Sequence, residues 1–328
     1  MPRFAVVPAL LSLSLLLAAC SGGGEDTTDA LATGAGSEDA GRAALLALVP
    51  RYLDALVAHD PTQVPLAANA VLVENAKRMT PGEGLWQSAS AAGGDFRIVV
   101  PDPMSDQVGA IVIMEENGEP IELGLRLQLQ DGQIVGAEHL IARNLRENAL
   151  PNLQEPRTAF STAIPAGQRL PRNELLSIGY SYYDALDRNN GSLAPFADDC
   201  VRRENGLQTS TNPPVEGATG IALFGQMRCA PQLDTGSMAY IDVINNRRVT
   251  IADPETGLVF GLSHFRHSME QKVFPITGVP GVTEHTVDFE PFDLPAAHVF
   301  KVGADRRIHE IEAMGFMLPY ASPTGWGW

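Results

Sequence analysis

The sequence predicts an α+β protein built from two tandem copies of one domain, each a leading helix followed by a curved antiparallel sheet. Three observations predict it. A stretch of chain recurs after the length of a whole domain, the recurring stretch carries apolar residues at helical spacing, and strand-like alternation broken by turn residues follows in both places.

The repeat comes first because it sets the organisation. Tyr52-Leu53-Asp54-Ala55-Leu56 reappears as Tyr182-Tyr183-Asp184-Ala185-Leu186, and the match runs without gaps to Asn75 and Asn205. Pro65 matches Pro195, Ala67 matches Ala197, Val71 matches Val201, and Glu74-Asn75 matches Glu204-Asn205. A period this long is a duplicated domain rather than a solenoid unit. The boundaries read as a signal peptide at 1–19, a tether at 20–38, a first domain at 39–143, a linker at 144–170 and a second domain at 171–328.

Within the second copy, Pro171 suits the first turn of a helix, and Leu175, Leu176, Ile178, Tyr182 and Leu186 follow on one face. Asn189-Asn190-Gly191 ends it with residues that tolerate a left-handed backbone. A short helix with Leu193 and Phe196 is expected next, then an edge-like strand from Cys200 to Glu204 and a helix over 218–227. In the first copy Ile121, Leu123, Leu125, Leu127 and Leu129 alternate with polar or small residues, the period of a half-buried strand. Glu116-Asn117-Gly118 and Asp131-Gly132 read as hairpin turns on either side of it. The second copy shows a strand at 248–252, a turn at 253–257, a strand at 258–267, and an insertion at 268–295 before its last two strands.

The N-terminus is an address. Arg3, the apolar stretch from Phe4 to Leu17, and the closing Leu17-Ala18-Ala19-Cys20 follow in order. The apolar run is shorter than the roughly 20 residues a spanning helix needs, so it reads as a signal-peptide core. The closing tetrapeptide resembles the bacterial lipobox, which implies cleavage before Cys20 and lipid on its sulfur. Ser21 after the cysteine implies the periplasmic face of the outer membrane. Residues 21–37 are mostly small or acidic and are expected to form a disordered tether.

Net charge of -16 argues against nucleic acid and against an anionic membrane surface. With Cys20 assigned to lipid, Cys200 and Cys229 remain, and outside the cytoplasm such a pair is expected to form a disulfide; two free buried thiols are the alternative. No metal or cofactor is expected, because CxxC pairs, ligand-spaced histidines and phosphate-binding glycine loops are all missing.

The pattern Tyr-x-x-Ala-Leu, then Pro195-Phe196-Ala197-Asp198-Asp199, then strands resembles the nuclear transport factor 2-like (SnoaL-like) superfamily. Arg203-Glu204-Asn205-Gly206, Cys229-Ala230-Pro231-Gln232, Arg247-Arg248-Val249 with Asp253-Pro254-Glu255, and Pro319-Tyr320 with Gly325-Trp326 resemble a secreted family within it whose domain has no known function. The resemblance implies a cone in each copy, helices wrapped by a bent sheet around a pocket. In the superfamily's enzymes that pocket holds Tyr, Asp and His, while many other members only bind or assemble. Fold alone therefore does not choose the function.

Candidate residues follow from comparing the copies. Placing the turn at Gly257 over that at Gly118 sets His264 opposite Leu125, so an apolar face gains a histidine. His264, Asp187 (opposite Val57) and Tyr182 are the catalytic candidates, and Arg202, Glu204, Asn205 and His267 the ligand-binding candidates. His267 lies three residues beyond His264 and faces the other side of a regular strand, so the two are not expected in one site. The expected function is a lipid-anchored envelope protein whose second cone binds a small molecule, with cofactor-free lyase or isomerase chemistry in view. The alternative is a non-catalytic envelope protein with paired interaction domains.

Overall fold

The leading helices bury the faces their spacing foretells. The computed structural model describes residues 27–325, with side chains from residue 39 onward apart from 220 and 221. The signal peptide, Cys20, Trp326 and Trp328 lie outside the described residues. Helix α1 spans Thr27–Val57, so the segment expected as a tether is helical from Thr27. It buries Val49, Tyr52, Leu53 and Leu56. Its counterpart comes after the linker and buries Leu175, Ile178, Tyr182, Tyr183 and Leu186. A short 3-10 turn follows each helix, capped by a side chain at the same repeat position: Asp60 accepts from the Thr62 amide and Asn190 from the Ser192 amide, both at 3.0 Å.

In the first half α1 is followed by β1 (Leu66–Glu74), β2 (Lys77–Met79), α2 (Leu85–Ser88), β3 (Ala89–Ala91), β4 (Arg97–Asp102), β5 (Gln107–Glu116), β6 (Glu119–Gln130) and β7 (Gln133–Ala142). The second half holds α3 (Arg172–Asp187), β8 (Phe196–Glu204), β9 (Leu207–Gln208), α4 (Gly220–Gly225), α5 (Cys229–Asp234), β10 (Val243–Asp253), β11 (Leu258–His267), β12 (Val273–Pro275), β13 (Glu284–Thr286), β14 (Phe292–Val302), β15 (Ile308–Gly315) and β16 (Leu318–Pro319). The sheet orders correspond: β2-β1-β7-β6-β5, with β4 and β3 on β5, against β9-β8-β15-β14-β11-β10. Asn117 (φ 54°) with Gly118 (φ 84°), and Asp131 (φ 52°) with Gly132 (φ 75°), make the two expected hairpin turns.

Several details differ from expectation. The sheets are mixed rather than antiparallel, because β1 runs parallel to β7 and β8 parallel to β15. Phe196 begins β8 instead of sitting on a helix, and β8 is flanked by β9 and β15 rather than forming an edge. The insertion is shorter than read, since β14 begins at Phe292.

The strand order also overturns the register used to compare the copies. Asp102 faces Gln107 across the β4–β5 turn as Asp253 faces Leu258 across the β10–β11 turn. Strand β11 is therefore equivalent to β5, and β14 to β6. His264 stands where the first half has Ile113, and the residue that replaces Leu125 is His298, on β14. Every half-buried strand alternates alike, so alternation alone could not tell β11 from β14.

The halves share a third core, in which Phe96, Ile98 and Ile111 of the first pack on Phe260, Leu262, Ala297 and Val299 of the second. A Cβ on Gly109 would lie 2.3 Å from the Phe260 ring, so this close approach needs glycine. Two equivalent ion pairs cross the seam in opposite directions: Arg42 of α1 to Asp253 at 2.8 Å, and Arg172 of α3 to Asp102 at 2.7 Å. Such reciprocity is the signature of an isologous contact between two copies of one surface.

Candidate functional site

The second half forms a half-open cavity of about 430 Å³ between α3, the concave face of its sheet and the chain after β7. A larger space of about 590 Å³ is a more open groove walled by Arg78, Asn245, Asn246, Arg266 and the C-terminal segment.

Strand β14 equips the cavity. Ala296 and His298 point inward, whereas Ala297 and Val299 face the first half. The His298 ring lies parallel to that of Phe300, with centroids 5.8 Å apart, and Nδ1 is 3.1 Å from the Tyr183 hydroxyl. Burial, with the Arg202 guanidinium adding to it, pushes the imidazole down to about 3, so it is neutral at physiological pH. When the Tyr183 hydroxyl donates to Nδ1, the ring proton sits on Nε2, for which the described residues offer no partner.

His267 supplies the second imidazole. Its ring stacks on Phe292 with centroids 4.0 Å apart and on Tyr240 at 5.6 Å. Burial pulls it down to about 4, and Nδ1 is buried without a hydrogen-bond partner among the described residues. Tyr182 and Tyr240 line the same space, and burial pushes both phenols up to about 12. The remaining wall is largely apolar, with Leu186, Phe265, Leu294 and Met314 among its members.

Of the ligand-binding candidates, His267, Glu204 and Asn205 line this cavity, as does the catalytic candidate Tyr182. Asn205 is nevertheless committed to the backbone: Nδ2 donates to the Gly315 carbonyl and Oδ1 accepts from the Gly315 amide, both at 2.8 Å. Asn75 makes the same pair of bonds to Ile141, so this clamp belongs to the repeated scaffold. Arg202 is fully buried and absent from the cavity lining; it is hydrogen-bonded to Thr209 and Gln232 and ion-paired with Glu204 at 2.7 Å.

The other two catalytic candidates fall outside. His264 follows Phe260 and Leu262 on the seam face of β11, where Nε2 lies 3.0 Å from the Asp293 carboxylate, a satisfied core histidine. Asp187 accepts from the Ile244 amide at 3.1 Å and pairs with Arg247 at 2.8 Å, fixing the end of α3 to β10. His298 was missed because the register used for comparison paired its strand with nothing; it is the imidazole that an apolar position had been expected to gain.

The expected disulfide is present, joining Cys200 of β8 to Cys229 of α5 across a Cα–Cα distance of 5.9 Å. It holds α5 against the sheet beside the buried Gln232 and Arg202.

The first half is not the apolar copy that the comparison suggested. The Tyr52 hydroxyl is 2.9 Å from His139 Nε2, and His139 Nδ1 is 3.4 Å from Glu74. Trp86 packs edge-on against Tyr52 at 5.4 Å and is buried. Tyr52, His139 and Glu74 there satisfy one another, while the buried Trp86 Nε1 has no hydrogen-bond partner among the described residues.

Residues 168–315 match the model of a domain of unknown function, DUF8021. Solved structures similar to part of the chain include a candidate polyketide cyclase from Silicibacter sp. TM1040, 12% identical over 45% of this chain and 92% of that one, with a TM-score of 0.27. Another candidate polyketide cyclase, from Xanthomonas campestris pv. campestris, is 17% identical over 44% of this chain and 90% of that one, also with a TM-score of 0.27. AclR, a candidate hydroxylase from Streptomyces galilaeus, is 10% identical over 45% of this chain and 83% of that one, with a TM-score of 0.26. None of the curated proteins compared matches the sequence.

Proposed function

We propose that the second half binds a small, flat, largely apolar molecule in its cone, and that the protein does this while anchored to the envelope by lipid on Cys20. The observation that carries the reading is the half-open cavity of about 430 Å³, with two neutral imidazoles and two phenols set in a largely apolar wall. A few fixed polar groups in an apolar concavity are what a small-molecule site needs. Binding fits these groups better than turnover: an imidazole with a pKa near 3 or 4 is a weak general base at neutral pH. Lyase or isomerase chemistry would require the ligand itself to raise the basicity of His267. An interaction module with no ligand would be expected to have a filled interior, and that description suits the first half, where Trp86 and His139 are packed inside.

A thermal-shift panel of small aromatic molecules tests the binding reading. Wild type should be stabilised by members of the panel, and Ala296→Trp, which plugs the cavity from β14, should lose the response while remaining folded. No shift in wild type, or equal shifts in the plugged variant, would overturn it. Labelling cells with a radioactive fatty acid tests the anchor: label should enter wild type and be absent from Cys20→Ser, and an unlabelled wild type removes the lipid.

A further inference from the structure

The linker between the halves builds one lip of the cavity. Arg143, Asn144, Leu145 and Arg146 all line it. Bonds to both halves hold this stretch in place. Arg143 pairs with Glu116 at the end of β5, Nη2 lying 2.8 Å from Oε1. Further along, the Ala149 amide donates to the Arg146 carbonyl at 2.8 Å. Asn152 Nδ2 donates to the Gly206 carbonyl at 2.9 Å, which ties the segment to the turn between β8 and β9. A stretch fixed at both ends presents its side chains to the cavity from a set position.

The charges that line the cavity do not balance. Glu204 is paired with Arg202 at 2.7 Å, and Arg143 with Glu116. The Arg146 guanidinium has no ion-pair or hydrogen-bond partner among the described residues, and neither has the Asn144 side chain. Both residues are exposed, so they stand at the mouth. Inside, His267 and His298 are held neutral by burial and add no charge. One unmatched cation therefore stands at the entrance of a largely apolar hollow, in a chain whose net charge is -16. A ligand ammonium would meet no unpaired carboxylate in this lining, whereas an anion meets a free guanidinium. We infer that the ligand of the second half is an aromatic carboxylic acid bound as its carboxylate, its rings inside the cavity and its carboxylate at the mouth against Arg146 and Asn144. This rests on the proposed binding function and names the charge class of its ligand. The guanidinium offers a planar fork of N–H donors that matches two carboxylate oxygens, and the Asn144 amide adds another donor. The parallel rings of His267 and Phe292, 4.0 Å apart, suit a planar body beside them.

The probes are naphthoate and its uncharged isostere naphthamide, measured by calorimetry on the full folded chain. At low salt naphthoate is expected to bind about three- to tenfold more tightly, the gain from a hydrogen-bonded ion pair to an exposed guanidinium. The preference should shrink as salt is added. Arg146→Gln, at an exposed position that the fold does not need, should bring naphthoate to the affinity of naphthamide and leave naphthamide unchanged. Arg306→Gln removes the same charge from a residue outside the lining and should change neither. Equal affinity for the two probes in wild type overturns the anion while leaving a binding cavity. A naphthoate preference that survives Arg146→Gln, or is lost equally in Arg306→Gln, overturns the placement. If neither probe binds while other aromatic molecules raise the melting temperature, the ligand class falls and the binding reading stands; if none binds, both fall.

Discussion

Arg172 Nε donates to Asp102 Oδ2 at 2.7 Å, carrying a charge from the leading helix of the second half into the β4–β5 corner of the first. The same carboxylate oxygen accepts the Ala252 amide at 3.1 Å, so one buried aspartate joins both halves. Arg42 repeats the contact in reverse on Asp253. The duplicated chain is therefore held together as two identical subunits would be, by one surface used twice.

The two seam pairs should not cost the same to break. Asp253 is also bonded by the Thr256 hydroxyl at 2.7 Å and the Glu255 amide at 3.1 Å, whereas Asp102 Oδ1 has no partner among the described residues. Arg172→Ala is expected to destabilise by about 3 kcal/mol, the cost of stranding a buried carboxylate, and Arg42→Ala by about 1 kcal/mol. Urea denaturation of the two variants gives the comparison.

Closing the loop between Cys200 and Cys229 limits the unfolded chain and is worth about 3.5 kcal/mol. A double Cys→Ser variant should melt lower by several degrees. Because α5 packs beside the cavity wall through Gln232 and Arg202, it should also bind panel ligands more weakly. Calorimetric melting with and without ligand reads both effects.

Asn75 (φ 45°) and Asn205 (φ 46°) each combine a left-handed backbone with two bonds to the neighbouring strand. Asn205→Ala loses the bonds and adds strain, an expected cost of about 2–3 kcal/mol; Asn205→Gly loses the bonds alone and should cost about 1 kcal/mol less. The same ranking should hold at Asn75. A difference in ranking between the two sites would mean that the clamp is not the common element.

At the seam, Glu122 is buried with neither carboxyl oxygen hydrogen-bonded among the described residues, and Glu312 is buried near it beside Arg157. Burial, with Glu312 adding to it, holds Glu122 well above the usual carboxyl range; burial raises Glu312 to about 7 against the pull of Arg157 and Arg203. A folded state that keeps a proton the unfolded chain has released is most favoured below the unfolded value of 4.5 and loses that advantage as pH rises through about 7. Glu122→Gln removes one of the two carboxyls. Its stabilisation relative to wild type should therefore grow from pH 5 to pH 8. The buried His298 and His267, which act in the opposite direction on acidification, cancel in the comparison. Melting curves across that range measure it, and a difference that does not change with pH would contradict the assignment.

Sequence by itself determined the parts whose cause is local. The duplication, the buried faces of α1 and α3, the hairpin turns at Asn117-Gly118 and Asp131-Gly132, the bounds of β11 and the Cys200–Cys229 pairing could all be read there, because spacing, turn chemistry and cysteine count act within short stretches. Tyr182, Glu204 and His267 were also legible as residues of interest. What only the tertiary structure decided is which strand lies beside which. Alternation of period two is the same on every half-buried strand, so it cannot say that β14, not β11, stands where β6 does, or that Ala313 meets Glu204 where His139 meets Glu74. That choice comes from the long-range ladder, including the parallel pairing of β8 with β15. It sets His298, not His264, at the position of Leu125 and against the cavity.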